Sequence, residues 1–126
     1  DVTWKTIMPD EPMARIAEKS PVVGGFLQKI CAFYANFYRN VAGFDGFSIH
    51  DPATVMYVTN PELFTTEQGQ IEVVQNGAGA GKTFFAPKGQ MYAEDYWSKR
   101  DNVHVCLGVD KAGVLALIEK VLSTPL

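Results

Sequence analysis

The sequence predicts an α/β or α+β layout, and three observations carry it. Apolar residues recur at helical spacing from Val22 to Val41 and again from Val114 to Leu122. They alternate over residues 70–75 and 102–109, as half-buried strands do. Breaks rich in Gly, Pro, Asn and Asp separate these stretches, giving the order strand, helices, hairpin, strand, helix.

Composition bounds the rest. The chain has 126 residues, enough for one real core. Hydrophobic residues make up 47% and charged residues 20%, the balance of an ordinary globular domain. The net charge of -3 points away from nucleic-acid and anionic-membrane partners. No apolar run reaches the length of a membrane span. The polar start DVTWKTIMPDE does not read as a signal peptide, so the cytoplasm is the default expectation. Cys31 falls on a helical pattern and Cys106 on a strand pattern, with no zinc spacing, so both are expected to be small buried thiols.

Along the chain, residues 2–8 (VTWKTIM) are β-branched and loosely alternating, and predict a strand. Asp10-Glu11-Pro12 opens a short helix to about Lys19, with acids and Pro in its first turn. Ser20-Pro21 restarts the chain as N-cap and first helical residue. The helix that follows is rich in Phe and Tyr and ends at Gly43 and Gly46, in a loop GFDGFSI. Asp51-Pro52 starts another helix, which stops at Asn60-Pro61; being nearly all apolar, it is expected to be buried on most sides. Residues 61–64 form a short turn, 70–75 a strand, 76–81 a glycine-rich turn, 82–85 a returning strand and 87–101 a charged surface loop. Residues 102–109 make the last strand, and Asp110 caps the last helix. A chain opening directly on a strand is expected to be a piece of a larger sheet. It would expose apolar surface where its partners are missing, and so self-associate.

The strongest chemical feature is Ile49-His50-Asp51-Pro52, after a glycine-bearing loop. A carboxylate such as that of Asp51 suits a hard cation, calcium or magnesium. An imidazole titrates near neutrality and can give a proton to a departing group. The bland alternative is a helix cap: Asp before Pro is a common N-cap arrangement, and from the dipeptide alone it is the commoner explanation.

The run GFSIHDPATVMYVTNPELF resembles the C-terminal motif of the inosine/uridine-preferring nucleoside hydrolase family, a G-x-x-x-H-D-P segment, an apolar helix and an Asn/Asp-Pro-Glu-Leu-Phe turn. Before it, DVT and the Phe/Tyr-rich helix are similar to the family's preceding segment; after it, IEVVQNGAGAGKTFF and NVHVCLGVDKAGVLALI are similar to its hairpin and its closing strand and helix. The resemblance covers nearly the whole chain, with several motifs in the same order. It implies the C-terminal part of a nucleoside-hydrolase-like α/β fold, with a mostly parallel central sheet flanked by helices. Residues 1–126 would be one segment of a single domain whose Asp-rich N-terminal half is absent.

Residue by residue, the resemblance implies that Asp51 binds the active-site calcium and that His50 protonates the leaving base. Tyr34, Phe37, Tyr38 and Arg39 fall where some members place aromatic residues over the base, which marks Tyr34, Tyr38 and Arg39 as substrate-binding candidates. Phe33 and Phe37 are expected to pack in the core, with Tyr38 and Arg39 turned to solvent or ligand. In the family, an aspartate of an N-terminal D-x-D-x-x-x-D-D cluster takes a proton from the attacking water, and ribose and free base are released. This chain has no such cluster, and Asp1 and Asp45 match no ligand position. Calcium needs roughly six to eight oxygens, so the isolated chain is expected to be inactive. Its expected partners are a nucleoside and either a second copy or the missing N-terminal half. A truncated homologue acting only as a binding module remains the competing class.

Other features are weaker. Gly77-Ala-Gly79-Ala-Gly81-Lys82-Thr83 resembles a phosphate loop, yet its first glycine position holds Asn76 and no long helix follows. A hairpin turn explains it better, leaving nucleotide binding a minor alternative. His104 is expected to be a surface or satisfied histidine, residues 94–101 a solvated charged face, and Trp4 and Trp97 packing residues.

Overall fold

The computed structural model describes residues 2–92, 96–97 and 99–124. The chain divides into two compact units, Asp1–Phe64 with Gly108–Leu126, and Thr65–Leu107.

The first unit carries most of the helices. After a 3₁₀ turn at Thr3–Lys5 come β1 (Ile7–Met8), α1 (Asp10–Lys19) and α2 (Pro21–Ala42). Then follow β2 (Phe47–Ser48), α3 (His50–Thr59), a second 3₁₀ turn at Pro61–Leu63 and, at the chain's end, α4 (Lys111–Leu122). The strand expected over residues 2–8 is only its last two residues. The Thr6 hydroxyl and amide both donate to the Thr3 carbonyl, at 2.8 and 3.1 Å, which winds the preceding residues into a turn. β2, inside what reads in sequence as a glycine loop, is the partner that β1 needs.

The helices begin and end where the punctuation places them. Gly43 takes the left-handed conformation (φ 68°) that terminates α2. Asp110 caps α4, its carboxylate accepting from the Gly113 amide at 3.0 Å. Ser20 occupies the cap position of α2 without a capping side-chain bond. The α1–α2 corner is closed by small residues: a Cβ on Gly24 would lie 2.2 Å from the Ala17 Cα, so only glycine lets the helices approach this closely. The core sits between β1, β2 and the inner faces of the helices, with Met8, Ile16 and Val114 fully buried.

Two expectations about burial fail. α3 buries only Ala53 and Met56, while Val55 and Val58 are 63% and 80% exposed. On α2, Phe33 (81% exposed) and Phe37 stand outside the core. With Val22, Phe26, Ile30 and Val41, they form an exposed apolar stripe along the helix. Apolar character predicts a buried face, but a face is buried only where something lies against it, and here no described residue covers it.

In the second unit, β3 (Phe64–Val73), β4 (Thr83–Pro87) and β5 (Val103–Val109) form a sheet in the order β4-β3-β5. β3 starts well before the alternating stretch at 70–75, and its register with β4 begins with Gly69 opposite Pro87, where there is no room for a side chain against Ala86. The glycine-rich segment is a hairpin turn with Gly77 and Gly81 at positive φ, not a phosphate loop. His104 is exposed and bonded to Gln68 at 3.2 Å. Of the charged 94–101 stretch, Glu94 and Asp95 lie outside the described residues, while Arg100 pairs with Glu72 and lies 4.8 Å over the Tyr96 ring. Cys31 and Cys106 are free and half-buried, and burial pushes both thiols up. The α/β class holds, but the β1–β2 and β3–β4 ladders are both antiparallel rather than parts of a parallel sheet. β3 and β4 are joined by the short glycine-rich turn, which a parallel pair cannot use, whereas β1 and β2 meet antiparallel across the α1–α2 hairpin.

The α1 and α4 helices are joined by a forked ion pair, Arg15 Nε and Nη2 donating to Glu119 at 2.9 and 2.8 Å, with Lys19 at 3.4 Å. The Arg15 guanidinium, with help from Lys19, lowers Glu119 from the ordinary 4.5 to about 2. A depressed carboxylate stabilises the fold above its ordinary value and loses that contribution as pH falls toward its folded value. Acid titration of stability between pH 4.5 and 2 should therefore be flatter in Glu119→Gln than in the parent. Gly24→Ala should cost about 1–3 kcal/mol in denaturant melts. Gly25→Ala, whose Cβ meets nothing within 4 Å, should gain about 0.4–1 kcal/mol instead. Equal effects at the two glycines would contradict this packing.

Candidate functional site

The site is assembled by the two-residue ladder in which Ile7 pairs with Ser48 and Met8 with Phe47. Gly46 (φ 129°) makes the approach possible, since a Cβ there would lie 2.1 Å from the Met8 carbonyl oxygen. The N-terminal turn is then clamped to the segment after β2. The Ser48 hydroxyl donates to the Thr3 carbonyl at 2.6 Å, and the Ile49 amide to the Thr6 carbonyl at 3.2 Å. Thr6 and Ser48 are fully buried polar residues, and these bonds satisfy them.

This clamp fixes His50, the first residue of α3, from both sides. Its Nδ1 lies 2.7 Å from the Thr3 hydroxyl and its Nε2 2.8 Å from the Tyr38 hydroxyl. Tyr34, one turn before Tyr38 on α2, donates its hydroxyl to that of Tyr38 at 3.2 Å. The result is a continuous line, Thr3, His50, Tyr38, Tyr34, running from a buried turn to a partly exposed phenol. Its hydrogen bond to Tyr38 raises the Tyr34 phenol to about 12, with burial and the nearby charge of Asp51 adding to the effect. Tyr34 therefore keeps its proton at neutral pH and remains a donor.

Tyr38 is buried rather than turned to solvent. Its ring stacks on Phe44 (centroids 6.0 Å apart, 17° between planes) and meets Trp4, Tyr34 and Phe37 at tilted or edge-on angles. The Phe44 amide, bonded to the Tyr38 carbonyl at 3.4 Å, folds the loop after α2 back over it. An extended helical wheel does not reveal that returning loop, hence the failed expectation. Trp4 is half-exposed and packs on Phe44 and Tyr38.

Asp51 is exposed in the first turn of α3, where the helix N-terminus favours its negative charge. It is not the cap: that position belongs to Ile49, so capping does not occupy the carboxylate. Among the described residues the Asp51 carboxylate has no hydrogen-bond or ion-pair partner, leaving its oxygens open to a ligand. Arg39 is drawn elsewhere, into ion pairs with Asp10 and with Asp45. The structure thus brings Tyr34, Tyr38 and His50 into one network with Asp51 beside it, and holds Arg39 against acids of its own. Thr3 was missed by sequence reasoning, since nothing in DVT signals a partner 47 positions away.

No group of three metal-ligating side chains occurs among the described residues, so Asp51 does not complete a cation site within them. An apolar groove of about 630 Å³ lies in the same unit, lined by residues such as Met13, Leu27, Phe47, Met56 and Ile118. Its wall includes Ile49 and Pro52 but neither His50 nor the tyrosines, so it is separate from the His50 network. No helix among the described residues is long and apolar enough to cross a membrane.

Comparison with known proteins places this arrangement in a family context. The family model described as "Inosine-uridine preferring nucleoside hydrolase" matches residues 1–116. A probable uridine nucleosidase 1 of Oryza sativa subsp. japonica is 27% identical over 126 residues, covering 99% of this chain and 39% of its own. A pyrimidine-specific ribonucleoside hydrolase, RihA, of Shewanella woodyi is 27% identical, covering 98% and 38%. Among solved structures, a plant nucleoside hydrolase superposes with a TM-score of 0.90 at 25% identity, covering 98% of this chain and 39% of that one. The chain thus spans about two-fifths of the length of the relatives it matches.

The Tyr34–Tyr38 bond can be read directly. In Tyr38→Phe, the Tyr34 phenol loses its acceptor and should titrate well below its present value of about 12, toward the ordinary 10. Carbon NMR of labelled tyrosine across alkaline pH measures this. An unmoved Tyr34 titration would break the network at its outer end.

Proposed function

Because the chain belongs to the inosine-uridine preferring nucleoside hydrolase family, we propose that it forms one wall of the active site of a nucleoside N-ribohydrolase. The enzyme would convert a nucleoside and water to ribose and free base. The observation that supports this reading most is His50, held between two hydroxyls beside an uncommitted Asp51 carboxylate.

In this proposal His50 is the source of the proton that neutralises the departing base, and because both ring nitrogens are bonded to hydroxyls the proton would reach the base through the Tyr38 and Tyr34 hydroxyls, each passing on its own proton as it receives one. Tyr34 faces the base side, with a phenol that stays protonated and, while its proton is turned to Tyr38, an oxygen that can accept from an N–H of the base. Tyr38 positions both. Arg39 would touch substrate only after release from Asp10 and Asp45, so its part is secondary to that of the tyrosines. Asp51 would give one carboxylate to a calcium ion, which when bound orients water and the ribose hydroxyls. The described residues do not complete such a site. The remaining oxygens, and the base that takes the water's proton, would come from the part of the family fold that this chain does not span. The chain by itself is therefore inactive in this reading.

The exposed stripe on α2 and the apolar groove support the same assembly. Burying a large apolar side chain stabilises by about 1.5–3 kcal/mol, so a stripe of six such residues is a strong docking surface. We assign it to the amino-terminal portion of a hydrolase domain, with self-association the outcome when that portion is missing. The same exposure favours the second reading, in which the chain only docks and performs no chemistry.

Release of ribose from uridine and inosine separates the two. The chain alone should release none. Mixed with the amino-terminal portion of a relative, it should give calcium-dependent release that is lost with chelator and in Asp51→Ala. His50→Ala in the same mixture should lower the rate about 10²-fold or more. A mixture that forms a stable complex and releases no ribose would favour the docking module.

A further inference from the structure

We propose that Phe44 is a positioning residue for His50, an aromatic brace between Trp4 and Tyr38 that fixes the spacing of the two hydroxyls on either side of the imidazole.

The brace closes a ring of contacts. One half is polar: Thr3 Oγ1 lies 2.7 Å from His50 Nδ1, and the Tyr38 hydroxyl lies 2.8 Å from Nε2. The other half is aromatic and joins the same two anchors. Trp4 follows Thr3 in the chain, and its ring meets Phe44 edge-on with centroids 5.2 Å apart. Phe44 in turn stacks on the Tyr38 ring, at 6.0 Å and 17°. Trp4 and Tyr38 also meet directly, at 6.1 Å and 56°, so the three rings form a closed triangle. Edge-on and offset-stacked pairs are the arrangements that aromatic rings favour. The β1–β2 ladder fixes Thr3 and His50 relative to each other, but Tyr38 stands on α2, outside that ladder. The triangle ties Tyr38 to the N-terminal turn.

Phe44 reaches this place because α2 ends just before it. Gly43, in the left-handed conformation, turns the chain back. The Phe44 amide donates to the Tyr38 carbonyl at 3.4 Å, so backbone and ring of Phe44 address the same residue. An exposed ion pair from Arg39 to Asp45 runs beside the stack at 3.8 Å, and surface pairs of that kind contribute little. Phe44 is half-buried against the core and Tyr38 is buried, so their contact, rather than the ion pair, holds the loop. The catalytic consequence rests on the hydrolase reading proposed above; the placement of Tyr38 against His50 does not.

The test is NMR of the 126-residue chain labelled at tyrosine and histidine, with His104→Gln assigning the two imidazoles. The parent Tyr34 phenol stands at about 12 because its hydroxyl is bonded to that of Tyr38, so its titration reports where Tyr38 lies. Phe44→Leu keeps an apolar side chain and removes the ring. It should bring Tyr34 toward the ordinary 10 and move the His50 ring resonances, while Phe44→Tyr, which keeps the ring, should hold the parent values. A folded Phe44→Leu with Tyr34 still at about 12 and His50 unmoved would overturn the proposal. If Phe44→Leu does not fold, Trp4→Leu removes the outer side of the triangle from a half-exposed position. It should move both signals in the same direction, and unmoved signals there would overturn the proposal equally. In the assembled hydrolase, Phe44→Leu should lower kcat about 10–100-fold with KM less affected, as small misplacements of a reacting group do. Ribose release lacking in parent and variants alike, with the NMR changes as stated, would reject the hydrolase reading and leave the brace standing.

Discussion

The candidate site depends on a contact of two residues against two. Without the pairing of Ile7–Met8 with Phe47–Ser48, the N-terminal turn and the start of α3 would be separate surface features. With it, the Thr3 carbonyl collects three donors and the Thr3 hydroxyl reaches the His50 ring. Such a short ladder has little stability of its own. It persists because Gly46 admits the close approach, because Met8 and Phe47 are buried, and because the polar groups at the corner are all paired. The constraint is local and polar, while the energy that maintains it is apolar and shared with α1, α2 and α4.

The apolar surface tells a consistent story about what the unit is built to do. Its inner faces form a core, yet α2 and α3 each show a second apolar face to solvent, and a groove lies open beside Ile49 and Pro52. A chain that matches about two-fifths of its relatives' length over nearly all of its own would carry such faces if the family's domain packs across them. Among the described residues the site holds His50 and Asp51 without a full set of metal ligands, and the helices beside it lack cover.

Much of this was legible in the sequence, for physical reasons that differ by element. α1, α2 and α4 announce themselves by period and punctuation, and Gly43 and Asp110 act in the structure as their residue types require. The hairpin turn at Gly77–Gly81 was readable because Gly77 and Gly81 sit at positive φ, which few other residues tolerate. His50 and Asp51 as candidates came from a motif, and the structure sets both in the first turn of α3. What sequence could not give was long-range. β2 is two residues inside a loop, and Thr3 meets His50 only through the β1–β2 corner. Tyr38 and Phe33 exchange their expected places because burial depends on the loop that returns over Tyr38, not on the helical period that places both. The antiparallel ladders likewise express a chain order that periodicity does not encode.

The most direct measurement is a crystal structure of this chain assembled with the amino-terminal portion of a relative, grown with calcium and a slowly reacting nucleoside analogue. The account requires an Asp51 carboxylate oxygen at about 2.3–2.6 Å from the ion, the His50 ring still bonded to Thr3 and Tyr38, and the Tyr34 hydroxyl directed at the base. An ion held entirely by the added portion, with Asp51 turned to solvent and the analogue away from His50, would contradict it.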